Sequence, residues 1–242
     1  MVTGLNTNGT QLGNQAFLDQ LVSAGLDHVQ ITLESHEASI HDTMVRRKGA
    51  WQKTLAGIRN VVKSKLYMMT NTTLLTNNAH ALEATLDFLA AEGVPTVGLN
   101  ALIHSGKGKE VETGLREEEL PALLKIAIDK TNQSGQRLIW YTPTQYCHFD
   151  PMMLDLGIKG CTAAYYNMCI EPDGNVIPCQ SYYEPVGNIL EDEWNQIWEH
   201  PLCLSLRSRK DIPAECHYCD FLQECGGGCP LSRAHQKPQP IY

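Results

Sequence analysis

All nine cysteines of this 242-residue chain lie between Cys147 and Cys229, and none precedes them. An odd number of thiols cannot all pair within one chain, and such a concentrated run points to metal ligation in a C-terminal module rather than to a disulfide framework. The spacing sharpens the point. Cys161-x12-Gly174-x4-Cys179 is followed, after a gap, by Cys216-x2-Cys219-x5-Cys225-x3-Cys229. A Cys-x2-Cys step lets a tight turn bring two thiolates to one centre. Asp173-Gly174 between two apolar runs is a hairpin signal, so Ile170 and Val176 are expected to pair across a turn that delivers Cys179. Gly226, Gly227 and Gly228 permit close backbone approach, with N–H groups aimed at sulfur. Iron–sulfur clusters suit this spacing better than a pair of structural zinc sites, the alternative that four-cysteine knuckles leave open. Cys147, Cys169 and Cys203 stand outside the pattern. They are expected to be buried, unreactive thiols, any one of which is available to complete a cluster short of a ligand.

The half without cysteine alternates strand-like and helical runs. Residues 2–7, 28–34, 66–73, 96–103 and 137–141 read as strands. Helical stripes carry Phe17, Leu18, Leu21 and Val22 up to Gly25, then Trp51, Leu55, Ile58 and Val62, then Leu82, Leu86 and Leu89 after a cap near Asn77 or Asn78, and a last helix covers about 117–133. Such alternation implies βαβ units and a parallel sheet. In a doubly wound sheet the strands are apolar on both faces. Here Gln30, Thr32 and Glu34 interrupt one face, as do Asn100 and His104 two strands on. A curled sheet, with helices outside and a polar lumen inside, accounts for that alternation. So few strands cannot close a barrel, and the first begins near Met1. An N-terminal segment is therefore expected to be missing; an open sheet with a covered edge is the alternative.

Charge and hydropathy narrow the partners. Nineteen Lys and Arg against 27 Asp and Glu give a formal net charge of −8, which repels phosphate backbones and anionic membrane surfaces. Neither nucleic acid nor membrane is an expected partner. With no membrane-length apolar run and no signal-peptide pattern, the chain is expected in the cytoplasm. Gly106-Lys-Gly-Lys109 lacks Walker spacing and reads as a mobile loop at the barrel mouth. Glu117 to Glu119 suit the opening of a helix. Arg207-Ser-Arg-Lys210 reads as a solvated face, with docking of a peptide as the alternative.

Taken together, these features resemble the radical S-adenosylmethionine (radical SAM) enzymes that carry a C-terminal SPASM domain. Thr7-Asn8-Gly9-Thr10 is similar to that family's TNG motif, and Val29-Gln-Ile-Thr-Leu-Glu34 to its VQISLD strand. Gly187-Asn188-Ile189 and Glu193-Trp194-Asn195-Gln196-Ile197-Trp198 resemble the SPASM segment between the two cysteine groups. The resemblance implies an α/β fold: the C-terminal strands of a partial (β/α)6 TIM-like barrel over 1–145 and a small cysteine-rich SPASM domain with a β-hairpin over 146–236; the tail at 237–242, with Pro238-Gln-Pro240, reads as disordered. It makes the first strand here the family's third, so the Cys-x3-Cys-x2-Cys loop that holds the S-adenosylmethionine cluster is absent from this chain.

What the family does is then expected of the intact form: reductive cleavage of S-adenosylmethionine to a 5′-deoxyadenosyl radical, which modifies a peptide, a protein or a peptide-derived cofactor precursor. Decarboxylation of a tetrapyrrole side chain, as in haem formation, is the related alternative. A non-catalytic iron–sulfur electron-transfer protein and a zinc-stabilised binding module are the alternatives outside that chemistry. The resemblance further implies up to two auxiliary 4Fe–4S clusters, one on Cys161, Cys179 and Cys229 and a second on Cys216, Cys219 and Cys225. S-adenosylmethionine is expected to meet Asn8, Gln30, Thr32, Glu34 and Asn71. A flavodoxin or ferredoxin is the implied reductant, and the substrate is a peptide, protein or small molecule. No catalytic residue is assigned.

Overall fold

A computed structural model describes residues 1–235, so the expected tail at 237–242 lies outside the described residues. The described residues form two compact units, Met1–Leu102 with Thr113–Thr142, and Ile103–Glu112 with 143–235.

The first unit alternates strand and helix: β1 Gly4–Thr7, α1 Gln15–Ser23, β2 His28–Thr32, α2 Ala38–Met44, α3 Ala50–Val62, β3 Tyr67–Leu74, α4 Leu82–Ala91, β4 Thr96–Ala101, α5 Leu120–Ser134 and β5 Arg137–Trp140. The strands are parallel and lie in strict sequence order, with Gln30 beside Met69, Thr32 beside Asn71, and Asn71 beside Gly98. That order decides the shape of the unit. Right-handed crossovers that always step the same way put every helix on one face, whereas a doubly wound sheet reverses direction to cover both. Val29, Ile31, Leu33, Val97 and Leu99 are each 0% exposed, Met68 and Trp140 nearly so, and these alternate positions form the helix-covered face. The other face carries Gln30, Thr32, Asn71, Thr73 and Asn100 and is a polar barrel wall.

Local chemistry sets the element ends. Asn14 Oδ1 accepts the N–H groups of Ala16 and Phe17 at the start of α1, and Gly25 takes a positive φ of 92° after its end. Asn78 departs from the expected helix cap. Its Oδ1 accepts the Leu75 N–H at 2.8 Å while its Nδ2 donates to the Glu34 and Thr73 carbonyls, so a 3-10 turn over Ala79–Ala81 precedes α4. Helix α2 is an addition to the sequence expectation. Its apolar stripe is too short to detect, and Asp42 secures it by accepting the Gly49 and Trp51 N–H groups. Glu117–Glu119 form the 3-10 turn that opens α5, as their charge implied.

The second unit contains β6 Cys169–Ile170, β7 Asn175–Ile177, β8 Gly187–Asn188, α6 Trp194–Trp198, α7 Pro201–Ser208, α8 Leu222–Cys225 and α9 Pro230–His235. Ile170 pairs with Val176 across the expected hairpin, and Gly174 turns it with φ of 88°. The third strand, β8, is only two residues long and left no alternating pattern to read. Ala164, Val176, Val186, Ile197 and Cys203 form the unit's small core. Two expectations are corrected here. The segment expected as a mobile loop at the barrel mouth is a 3-10 turn over Gly106–Glu110, and Ser105 Oγ beside it donates to the Ser181 carbonyl. Arg207 and Arg209 are not a solvated face. Arg207 donates to the Ala164 and Trp198 carbonyls at 3.1 and 2.6 Å and lies 4.3 Å over the Trp198 ring, while Arg209 donates to the Leu222 and Gln223 carbonyls. A guanidinium with several donors serves as a clamp on chain ends that lack partners of their own.

Candidate functional site

The first candidate site is the polar face of the first unit, at the C-terminal ends of its strands, where barrel folds place their chemistry. Glu34 follows β2 and is held from several directions. Its N–H donates to His41 Nδ1 at 3.1 Å, its carbonyl accepts from Asn78, and its carboxylate accepts the Thr73 N–H at 2.9 Å. Burial pushes the carboxyl up to about 7, against the pull of that N–H. His41, 2% exposed, is pushed the other way by burial, which suits the neutral ring that an acceptor role requires.

Asn71 comes one strand over, beside Thr32 in register. Its Nδ2 donates to Asn100 Oδ1 at 2.7 Å, while its Oδ1 is buried and has no hydrogen-bond partner. An unsatisfied buried acceptor is costly and marks a place where a donor belongs. Gly98 makes room beside it, since a Cβ there would lie 3.0 Å from Asn71 Oδ1 and 2.6 Å from Tyr141 Cε2. Gln30 and Thr32 are half-buried on the same face. Asn8 is exposed, and its Oδ1 is engaged in its own turn, accepting from the Thr10 N–H and hydroxyl. That turn is pinned to α3, because Thr54 Oγ1 donates to the Asn8 carbonyl and Gly57 lies against the Gly9 carbonyl. Sequence patterning flagged Asn100 but missed His41, Asn78 and Gly98. The contacts that bring them to this site, His41 and Asn78 to Glu34 and Gly98 to Asn71, join separate segments and leave no local period.

The second candidate site is the cysteine-rich unit, where the thiols fall into two groups. Cys161 is pushed up to about 11, by burial first and then by the neighbouring Cys229 and Cys179 sulfurs, while the Ala163 N–H pulls it down. Cys179 is raised by burial and by Cys229 and Cys169, against the Ser181 and Tyr182 N–H groups. Backbone N–H groups aimed at sulfur are the donors that stabilise bound thiolate. Cys216 is raised by burial and then by Cys225, Cys147 and Cys219, in that order. Cys225 is buried, and its sulfur accepts the Tyr146 N–H at 3.4 Å. Among the described residues, no three His, Cys, Asp or Glu side chains converge as they would on a single ion. Two thiols that the spacing left out also contribute: Cys169 adds to the upward push on Cys179, and Cys147 to that on Cys216. The expectation that all three outlying cysteines are buried is thus corrected. Cys203 is buried in the apolar core, but Cys147 is exposed and Cys169 half-buried.

Comparison with known proteins finds a match in each half of the chain. Residues 1–89 match the radical SAM superfamily, and residues 161–220 match SPASM, an iron-sulfur cluster-binding domain. The AdoMet-dependent heme synthase of Methanosarcina barkeri is 24% identical over 92% of this chain and 68% of its own length. The PqqA peptide cyclase of Ruegeria pomeroyi is 23% identical over 95% of this chain and 62% of its own. The chain thus spans roughly two thirds of the length of the curated relatives it matches. Streptococcus suis SuiB bound to precursor peptide SuiA superposes with a TM-score of 0.79 at 15% identity, over 98% of this chain and 56% of that one. Native anSMEcpe with bound AdoMet gives 0.71 at 17% identity, over 99% and 68%. These likenesses show the fold. Among the described residues, no helix is long and apolar enough to cross a membrane.

Proposed function

The chain belongs to the radical SAM superfamily and carries a SPASM iron–sulfur domain, and from that premise we propose that it supplies one wall of the S-adenosylmethionine site and the auxiliary clusters of an enzyme that modifies a peptide or protein. When bound, the clusters supply single electrons and S-adenosylmethionine is the source of the radical. The observation that carries this reading is the presence in one chain of a polar barrel wall with an unsatisfied acceptor and of two separate groups of thiols. Cys161, Cys179 and Cys229 suit one 4Fe–4S cluster, and Cys216, Cys219 and Cys225 the other. Backbone N–H groups aimed at the sulfurs of Cys161, Cys179 and Cys225 are the donors that a cluster's thiolates take, and they support iron–sulfur clusters over zinc.

On the wall, Asn71 Oδ1 offers an acceptor to an ammonium such as that of a methionyl group. Thr32 offers a hydroxyl in register with it. Glu34, which titrates near neutrality, donates a hydrogen bond when protonated and accepts one when ionised. Gln30 and Asn8 flank these groups, with the Asn8 side chain serving mainly its turn. A peptide substrate is supported by the likeness to the peptide cyclase and to the peptide-bound fold neighbour. A low-potential carrier such as a flavodoxin or ferredoxin suits the electron supply, in the cytoplasm. The likeness to heme synthases supports a second reading, decarboxylation of a tetrapyrrole side chain.

The test uses the natural full-length protein, loaded with iron and sulfide without oxygen and then given S-adenosylmethionine and reductant. Formation of 5′-deoxyadenosine supports the enzyme reading, and its absence from a fully loaded protein favours an electron-transfer role. Candidate substrates separate the remaining two: a mass change in a peptide supports the first, carbon dioxide release from a tetrapyrrole the second.

A further inference from the structure

The hairpin of the second unit has a face that its core does not use. Ile170 and Val176 pair across the hairpin, and Val176 is 0% exposed in the core with Ala164, Val186 and Ile197. Side chains alternate along a strand, so Glu171, Asn175 and Ile177 face the other way. There they line a groove of about 400 Å³, together with Pro172 and Asp173 of the turn and Tyr183 and Pro185 of the segment after Cys179. Both walls are fixed. Ser105 Oγ donates to the Ser181 carbonyl, the Tyr182 N–H donates to the Cys179 carbonyl at 3.0 Å, and the Tyr183 ring lies against Gly106, where a Cβ would be 3.5 Å from its Cε2. On the turn side the Glu171 N–H donates to the Asn175 carbonyl at 2.7 Å, and Asn188 Nδ2 donates to the Asp173 carbonyl at 3.1 Å. A groove held open in this way costs little ordering when it is filled.

The chemistry of the lining selects its occupant. Ile177, 1% exposed, is the floor, and two proline rings with the exposed Tyr183 ring make apolar walls. The two carboxylates differ. Asp173 is committed to the turn, with Oδ1 accepting the Asn175 N–H at 3.1 Å and Oδ2 accepting the Asn175 side-chain amide at 2.7 Å. Glu171 is half-buried, and among the described residues its carboxylate has one partner, the Cys169 thiol at 4.0 Å. A thiol is a weak donor, so this carboxylate keeps most of its acceptor capacity. No Lys, Arg or His lines the groove. An apolar side chain placed there would strip water from Glu171 and return no hydrogen bond, and an acidic one would be repelled. A long cationic side chain suits every surface: its methylenes cover the prolines and Ile177, its head pairs with Glu171, and the face of the Tyr183 ring attracts it.

We propose that this groove binds a lysine or arginine side chain of the peptide that the enzyme modifies. The assignment rests on the peptide reading above and adds a charge preference to it: the peptide docks a cationic residue on the hairpin, against Glu171 and Tyr183.

The test titrates the 242-residue chain, followed by its amide resonances in NMR, with acetyl-Gly-Arg-Gly-amide and with the same peptide carrying citrulline, a neutral residue of nearly the same shape. The arginine peptide is expected to bind about fivefold tighter at low salt, to shift the amides of Asp173, Gly174 and Asn175 first, and to lose its advantage at high salt. Glu171→Gln is expected to bring its affinity down to that of the citrulline peptide, and Tyr183→Ala to weaken it about threefold. Glu118→Gln, at an exposed carboxylate of the first unit, is expected to change nothing. An arginine peptide that binds no tighter than the citrulline peptide, or not at all, overturns the assignment alone, because the mass change of a modified peptide is read separately. So does an arginine preference that survives Glu171→Gln. A full-length protein that modifies no peptide, while arginine is still preferred through Glu171, overturns the peptide reading and the identity of the occupant with it, and leaves the groove's charge preference standing.

Discussion

Replacing Glu34 by Gln isolates the electrostatics of the polar wall. The carboxyl titrates near 7 in the folded protein, against 4.5 when freely solvated, because burial disfavours its ionised form. Between those values the folded chain binds a proton that the unfolded chain has lost, so stability falls as pH rises through this window and levels off above about 7. The full shift corresponds to about 3 kcal/mol, and solvent reaching the half-buried carboxyl trims this to about 2 kcal/mol. Glutamine has nearly the shape of the protonated acid and retains an oxygen for the Thr73 N–H, so Glu34→Gln removes the ionisation penalty without opening a cavity. Urea unfolding of the first unit, followed at several pH values, should give coincident stabilities near pH 4 and a variant about 2 kcal/mol more stable at pH 8. The corresponding gain in melting temperature is about 4–8 °C for a chain of this size. Parallel pH profiles for the two proteins, or a variant less stable at pH 8, would refute the reasoning.

Three further substitutions probe the packing that positions the sites. Gly57→Ala would set a Cβ 2.2 Å from the Gly9 carbonyl oxygen, so it should cost about 1–3 kcal/mol in urea unfolding despite the better helix propensity of alanine. A stabilised variant would show that α3 does not pin the Asn8-Gly9 turn. Ile197→Ala empties a 0% exposed position in the core of the second unit and should cost about 2–5 kcal/mol, read by the fluorescence of Trp194 and Trp198 during unfolding. Arg207→Lys keeps the charge but loses the paired bonds to the Ala164 and Trp198 carbonyls; a loss of about 1–3 kcal/mol is expected, and an unchanged melting temperature would return this arginine to the surface.

The parallel sheet was legible because its two faces differ. Val29, Ile31 and Leu33 alternate with Gln30, Thr32 and Glu34 over one short strand, and only a sheet covered on one side explains that pattern. The hairpin was legible from Asp173-Gly174, whose turn chemistry fixes the register of Ile170 against Val176. Features built from distant partners left no such trace. Asn78 has the composition of a helix cap but spends its amide on the Glu34 and Thr73 carbonyls, a choice made by tertiary packing. Arg207 and Arg209 form a basic run in sequence that solvent would ordinarily claim, but unpaired carbonyls nearby are better acceptors once the fold brings them in.

The central claim is that the thiols of the second unit gather around inorganic iron and sulfide. It is tested most directly by iron, zinc and acid-labile sulfide analysis with Mössbauer spectroscopy on protein purified and loaded without oxygen. Two 4Fe–4S clusters, about eight irons and eight sulfides per chain, are the predicted result. Stoichiometric zinc in a colourless, sulfide-free protein would contradict it.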